Sequence, residues 1–321
     1  FGTYFGDAHV YAVNAEDGSV LWKHKSEGGP FDASIAIHDL DGDGGLDILA
    51  ADSASGRTWC LDGQGRVQWT VKLPSGTDSP PAVGDLDGDG KPEVVIGTMW
   101  RRDGVGRVCA LDPRTQEFLW TVSVKGCVQS EPALVDLDGD GDRDVIVTSW
   151  RGDRGIHALD GKDGSTLWSV VTDGDEKSMG MYHGVSVVRT AKGLRILTPT
   201  CEGDVYALDA QGKVLWKRHF EDYLFAPSLV TDVDGDGTHE LFVAGRMARL
   251  LRVEDGETVW ERSFDGRSVA RGAAVFDLEG DGTQDLVLSA GTRCYVLDGT
   301  SGIARQTFEA ALDANDRMER I

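Results

Sequence analysis

No stretch of this 321-residue chain approaches the ~18 consecutive apolar residues that carry a helix across a bilayer. Basic residues are scarce: 32 lysines and arginines stand against 54 aspartates and glutamates, a formal net charge of −22. Such a chain repels a phosphate backbone, which argues against nucleic acid as a partner. Cysteine is sparse, and the five residues include no CxxC pair, so a zinc site is not spelled out. Cys60, Cys109 and Cys294 sit in apolar strand-like runs, where a buried small hydrophobe is the ordinary role. Cys127 and Cys201 fall in loops, where one disulfide between them stays open. Neither a Ser-His-Asp nor an HExxH arrangement appears, and helical periodicity is confined to the tail, EAALDANDRMERI.

What is abundant is acid in evenly spaced packets, a pattern of cation binding rather than of disorder. DLDGDGGLD begins at residue 39. It returns as DLDGDGKPE at 85, DLDGDGDRD at 136, DVDGDGTHE at 232 and DLEGDGTQD at 277. The gap between the third and fourth packets is twice the usual period, so one repeat lacks its packet. A second signal runs alongside: a strand, a turn, and a strand ending in tryptophan. It ends at Trp22, Trp69, Trp120, Trp168, Trp216 and Trp260, and closes with Gln306 in the seventh place.

Each unit therefore reads as four short strands in roughly 45–50 residues, the size of one propeller blade. The expectation is an all-β fold, a β-propeller most simply of seven four-stranded blades in a single domain over 1–321. Six blades start near 27, 72, 123, 171, 218 and 264, and residues 1–26 supply part of a seventh. The tail 309–321 is the candidate for closing the ring between the termini. The Asp-Gly and Gln-Gly turns between third and fourth strands suit tight hairpins, and the periodic tryptophans are expected in the core.

The packets obey D-x-[DE]-x-D-G-x-x-[DE]. Carboxylates at alternate positions of a tight loop can converge on one hard cation, the sixth-position glycine allows the reversal, and the ninth-position acid closes the cage. Calcium is the cation that fits an irregular all-oxygen set, at about five sites. The candidate ligands are Asp39, Asp41, Asp43 and Asp47; Asp85, Asp87, Asp89 and Glu93; Asp136, Asp138, Asp140 and Asp144; Asp232, Asp234, Asp236 and Glu240; and Asp277, Glu279, Asp281 and Asp285. The expected role is structural, pinning the hairpin between first and second strands. In the blade beginning near 171, Ala191-Lys192-Gly193 replaces the packet and reads as an ordinary turn that binds no ion.

These loops resemble the FG-GAP and VCBS repeats of the integrin α-subunit propeller. The tryptophan-bearing segments resemble the repeats of pyrroloquinoline-quinone-type propellers. The resemblance implies a propeller, calcium in the hairpins, and an extracellular, cell-surface or periplasmic setting; it carries no activity across.

Strand alternation puts the acidic loops at one end of the blades and the second-to-third-strand loops, with the links between blades, at the other. That second end carries the sequence variation and is the candidate ligand face. Its candidate residues are Tyr4, Trp100, Arg101, Trp150, Arg151, Tyr182, His183, Glu202 and Tyr223. Arg151-Gly152-Asp153 spells an integrin-ligand tripeptide, for which composition alone is a sufficient explanation. Aromatics beside charges suit a protein or glycan, so the expected function is a non-catalytic binding or scaffold domain. The alternative is a carbohydrate-active enzyme such as a calcium-containing polysaccharide lyase, with a base drawn from His183 or Tyr182. A purely architectural ring is the third reading.

Overall fold

The computed structural model describes residues 1–3, 7–100 and 103–309. The chain divides into two compact units, Phe1–Val185 with Ala210–Gly212, and Ser186–Asp209 with Lys213–Ile321. Every regular element among the described residues is a β-strand.

The first unit opens with β1 (His9–Val13) paired to β2 (Val20–Lys25). A bridge from Gly2 to Val10 adds a third segment to this sheet. Three four-stranded antiparallel sheets follow. They are β3 (Ala36–His38), β4 (Asp47–Ala51), β5 (Arg57–Leu61) and β6 (Val67–Lys72); β7 (Ala82–Gly84), β8 (Glu93–Gly97), β9 (Val105–Asp112) and β10 (Glu117–Lys125); and β11 (Ala133–Val135), β12 (Asp144–Thr148), β13 (Gly155–Leu159) and β14 (Thr166–Val171).

The second unit holds three more: β15 (Ser186–Thr190), β16 (Gly193–Pro199), β17 (Asp204–Leu208) and β18 (Val214–His219); β19 (Leu229–Thr231), β20 (Glu240–Ala244), β21 (Met247–Arg252) and β22 (Thr258–Ser263); and β23 (Ala273–Phe276), β24 (Asp285–Ala290), β25 (Arg293–Asp298) and β26 (Ala304–Glu309). Strands run in chain order across every sheet, which is the blade topology of a β-propeller. The expected ring closure by the tail falls on residues 310–321, outside the described residues.

The packing follows from burial. Most second strands are apolar after an opening acid and buried on both faces, as in DILAA of β4 and EVVIG of β8. The fourth strands alternate exposed and half-buried residues and form the outer edge. First strands of successive sheets lie side by side, β3 and β11 flanking β7 in the first unit and β15 beside β19 in the second. Each core cluster interleaves the facing layers of two successive sheets. One joins Val95, Val108 and Ala110 to Val145, Val147 and Leu159. Another joins Phe242, Leu250 and Trp260 to Leu286, Leu288 and Tyr295.

Two sequence expectations change here. The turns between third and fourth strands are longer than two residues. An aspartate opens and caps five of them, as Asp62 Oδ1 does for the Gln64 and Arg66 amides, while Asn14 and Arg252 stand in its place in the other two. A glycine near the turn's end lies in the left-handed region, Gly65 at φ 76° and Gly164 at φ 74°, and the register slips there into a bulge. The periodic tryptophans are also not uniformly core. Only Trp120 and Trp260 are buried; Trp22, Trp69, Trp168 and Trp216 are half-buried.

Each of five tryptophans covers the turn of the following sheet. Trp22 Nε1 donates to the Gly63 carbonyl, Trp120 to Gly161, Trp168 to Ala210, Trp216 to Val253 and Trp260 to Gly299, at 2.7–3.0 Å. All five cysteines are free, Cys127 and Cys201 included, and those two are buried.

Candidate metal loops and variable face

Each acidic loop connects a first strand to a second strand and is shaped by its own carboxylates. In the first, Asp39 accepts the Gly42 amide at 2.8 Å on one oxygen and the Gly44 amide at 3.0 Å on the other. Asp41 accepts from Asp43, and Asp43 from Gly45. The ninth-position acid is buried at the head of the second strand and turns one oxygen back to the loop. Asp47 thus accepts the Leu40 amide at 2.9 Å, Glu93 that of Leu86 at 2.9 Å, Asp144 that of Leu137 at 2.8 Å and Glu240 that of Val233 at 3.1 Å. Burial pushes the carboxyls of Glu93 and Glu240 up, and that of Asp144 up to about 6. A buried carboxylate facing other carboxylates is the arrangement a cation relieves.

Four loops bring three carboxylates together with ligand atoms within 4.8 Å of one another: Asp39, Asp41 and Asp43; Asp85, Asp87 and Glu93; Asp136, Asp138 and Asp144; and Asp232, Asp234 and Asp236. Donors of this chemistry, all hard oxygens, fit a divalent cation. Asp89, Asp140 and the remaining ninth-position acids lie in the same loops outside these triplets.

The second loop carries a guanidinium, Arg114 lying 3.2 Å from Glu93 and 3.6 Å from Asp89, yet three of its carboxylates still converge. The fifth loop gathers no such triplet among the described residues. Arg305, from β26, pairs with Glu279, reaches Asp285 at 3.2 Å and Asp298 at 2.7 Å, and so places a guanidinium among its acids. Asp277 and Asp281 there accept from loop amides and from Thr283. Where the packet is missing, β15 and β16 meet in the two-residue turn Ala191-Lys192, with Thr190 opposite Gly193.

At the other end of the sheets, three chain segments of the first unit converge. Trp100 and Trp150 stack with ring centroids 6.5 Å apart. Tyr182 meets Trp150 edge-on at 5.6 Å, and His183 meets Tyr182 at 5.2 Å. The Arg151 guanidinium lies over the Trp150 ring at 4.5 Å. All four rings are half-buried.

Trp150 is anchored through its backbone, exchanging hydrogen bonds with Cys127. Arg151 holds φ 53° and its carbonyl lies against Gly126, where a Cβ would sit 1.8 Å away. Asp153 is turned inward to Ser149, the Gly155 amide and His157, so the Arg-Gly-Asp stretch is part of the loop's own framework. His183 pairs with Glu131 at 3.3 Å.

Glu202 and Tyr223 belong to the second unit, where exposed Tyr223 stacks on Phe225 at 5.7 Å. Tyr4 and Arg101 lie outside the described residues.

Sequence reasoning missed a polar group beside the aromatic patch. Gln129 Nε2 donates to Asp78 Oδ2 at 2.7 Å across 51 residues. Both precede a serine that ties first strand to second: Ser79 Oγ accepts the Gly97 amide and donates to the Ser130 carbonyl, and Ser130 Oγ accepts the Thr148 amide. The shared Ser one residue on was the available signal.

Comparison with known proteins places this geometry. Residues 3–99 match the λ-carrageenase β-propeller domain. Among solved structures, BamB from Moraxella catarrhalis aligns over 97% of this chain and 92% of its own, at 16% identity and a TM-score of 0.52. Saccharomyces cerevisiae Sqt1 aligns over 94% and 79%, at 13% identity and a TM-score of 0.69. These likenesses bear on the fold.

Two relatives match in part. The β-alanine-activating enzyme of Danio rerio is 37% identical over 79 residues, and protein FAM234B of Gallus gallus is 29% identical over 159. The matched stretches cover 24% and 42% of this chain but only 7% and 25% of those proteins. Residues 60–222 and 201–315 match the family described as outer membrane protein assembly factor BamB, and on that span, most of its length, the chain belongs to this family of β-propellers with pyrroloquinoline-quinone-type repeats.

Proposed function

We propose that residues 1–321 act as one calcium-stabilised β-propeller domain, a non-catalytic binding module that engages a protein or glycan partner through the end opposite the acidic loops. The observation that carries this reading is the convergence of Trp100, Trp150 and Tyr182, half-exposed and flanked by Arg151, from three separate loops. Amphipathic aromatics on a rigid scaffold offer large contact area at small entropic cost. The acidic loops supply that rigidity: an ion bound only by the folded chain stabilises it by about 2.7 kcal/mol at 100 times its Kd. Calcium loops of this kind fill at millimolar levels, which suits an extracellular, cell-surface or periplasmic setting.

A glycan array and a polysaccharide-cleavage screen in millimolar calcium, repeated with EDTA and accompanied by protein pull-downs, test the proposal. Binding without cleavage that Trp150→Ala abolishes supports it. Cleavage would support the second reading, a carbohydrate-active enzyme such as a polysaccharide lyase. That reading draws on the match of residues 3–99 to a carrageenase propeller and on the His183–Glu131 pair. Binding that survives in Trp100→Ala and Trp150→Ala alike would remove the aromatic patch from the function.

A further inference from the structure

Beside the aromatic patch lies a set of acceptors with too few donors. Gln129 is 8% exposed, and its Nε2 is committed to Asp78 Oδ2. The reverse amide orientation would set oxygen against carboxylate, so Oε1 faces away from Asp78. Gln129 Oε1 and Asp78 Oδ1 are both buried, and neither has a hydrogen-bond partner among the described residues. Exposed Asp32 adds a second negative charge near Asp78, and the Ser53 hydroxyl, which accepts the Asp32 amide at 3.3 Å, is the one further side-chain donor among the described residues turned to the Asp78 carboxylate. Burial, with the Asp32 charge behind it, raises the Asp78 pKa. Leaving such acceptors unpaired is costly, because each gave up its water on burial.

No cation among the described residues is bonded to these two oxygens. The Arg151 guanidinium lies over the Trp150 ring. Yet the two features adjoin: the Cys127 thiol accepts the Trp100 amide at 3.5 Å and feels both Asp78 and Arg151. The acceptors are also held in place, because Thr77, Ser79 and Ser130 are buried and hydrogen-bonded on either side of them.

We infer that the Asp32–Asp78–Gln129 group receives the ammonium or guanidinium of a lysine or arginine presented by a protein partner docked on the Trp100–Trp150 patch. A charged donor would meet both unpaired oxygens at once, and the aromatic rings would cover the aliphatic stem. The inference rests on the binding-module reading and narrows its partner to a basic protein segment.

The test measures binding of hexa-arginine and hexalysine peptides by calorimetry, in saturating calcium, against a Gly-Ser peptide of equal length. Asp78→Asn should weaken the basic peptides about tenfold or more, the loss expected for one charge-assisted hydrogen bond. Asp32→Asn, at an exposed position that does not hold the fold, should weaken them about threefold by lost charge. Asp17→Asn, an exposed acid on the turn after β1, controls for net charge and should change affinity less than about twofold.

Equal losses in all three variants would overturn the inference, as would no selectivity over the Gly-Ser peptide. A calcium-binding event lost in Asp78→Asn, with peptide affinity unchanged, would make the group a metal site instead. If a glycan or a non-basic protein binds through Trp150 while the basic peptides are ignored, the proposed function stands and this inference falls.

Discussion

Trp120 Nε1 donates a 2.7 Å hydrogen bond to the carbonyl of Gly161, and the same indole lies where a side chain on Gly164 would project. One residue of one sheet thereby reads two features of the next sheet's turn. A Cβ on Gly164 would come within 2.8 Å of Trp120 Cδ2, and Gly65, Gly212, Gly256 and Gly302 stand in the same relation to Trp22, Trp168, Trp216 and Trp260. Gly18 has a similar φ of 72° but open space around its Cβ position.

Gly164→Ala and Gly18→Ala should therefore differ. Both incur the left-handed backbone penalty, about 1 kcal/mol. Only Gly164→Ala also displaces a ring, and we expect about 2–3 kcal/mol in total there. Trp120→Phe should cost about 1–2 kcal/mol by orphaning a buried carbonyl. Urea unfolding of the three variants checks this; equal costs at Gly164 and Gly18 would mean the indole yields freely.

Calcium stoichiometry is the second prediction. Four loops gather three carboxylates each, while the fifth is occupied by Arg305. Calorimetric titration of the metal-free protein should give four sites rather than five, and Arg305→Met should restore a fifth. Asp138→Ala with Asp140→Ala should lower the melting temperature when calcium is present and leave it nearly unchanged in EDTA. A fifth site in the unaltered protein would show that Arg305 is displaced by the ion.

Acid sensitivity should centre on Asp222. Its side chain is 1% exposed and accepts from Arg249 at 2.9 Å and from the amides of Tyr223, Arg246 and Met247. Burial works to raise its pKa, but the Arg249 bond, the amides and the Arg249 charge together hold it below the ordinary 3.8. A depressed folded-state pKa means stability that is present above the unfolded value and lost as pH falls through the folded one. Asp222→Asn should cost about 3 kcal/mol near pH 7, leaving the buried Arg249 with only the exposed Glu261, 3.5 Å from its Nε. The gap between variant and wild type should be flat above about pH 5 and narrow below about pH 4, near the unfolded aspartate pKa. Chemical denaturation across pH 3–7 would read it; a gap constant to pH 3 would deny the ion pair its role.

The blade pattern was legible because its signals are local. Apolar second strands, an acidic packet ahead of all but one in the four-stranded sheets, and a tryptophan about 30 residues on all lie within one repeat. The aromatic patch was legible for a related reason, since Trp100 and Trp150 occupy the same place in successive repeats. What escaped notice depends on side chains meeting across sheets or far along one. Arg305 reaches Glu279 from 26 residues downstream. Gln129 meets Asp78 from 51 residues away. The tryptophans were misjudged because an amphipathic ring near a strand end reads as core, when its task is to close over a neighbouring turn. Trp69 shows the limit of the rule: the turn that follows it, Asp112–Gln116, lacks the glycine, and Gln116 itself takes φ 63°.

The tryptophan-to-turn contact also decides which connections can change length. A turn whose carbonyl and glycine are both gripped by the preceding sheet cannot gain a residue without losing its partner. At the opposite end the connection after β12 is gripped as well, by Lys125, Gly126 and Cys127, whereas the one after β8 has open space at Gly104. Insertions, new recognition loops and grafted peptides should therefore be accepted beside Gly104 after β8 and refused after β5 or β13. Two ends of one strand set would then drift at different rates, one conserved in outline by its neighbours and the other open, at that loop, to new partners.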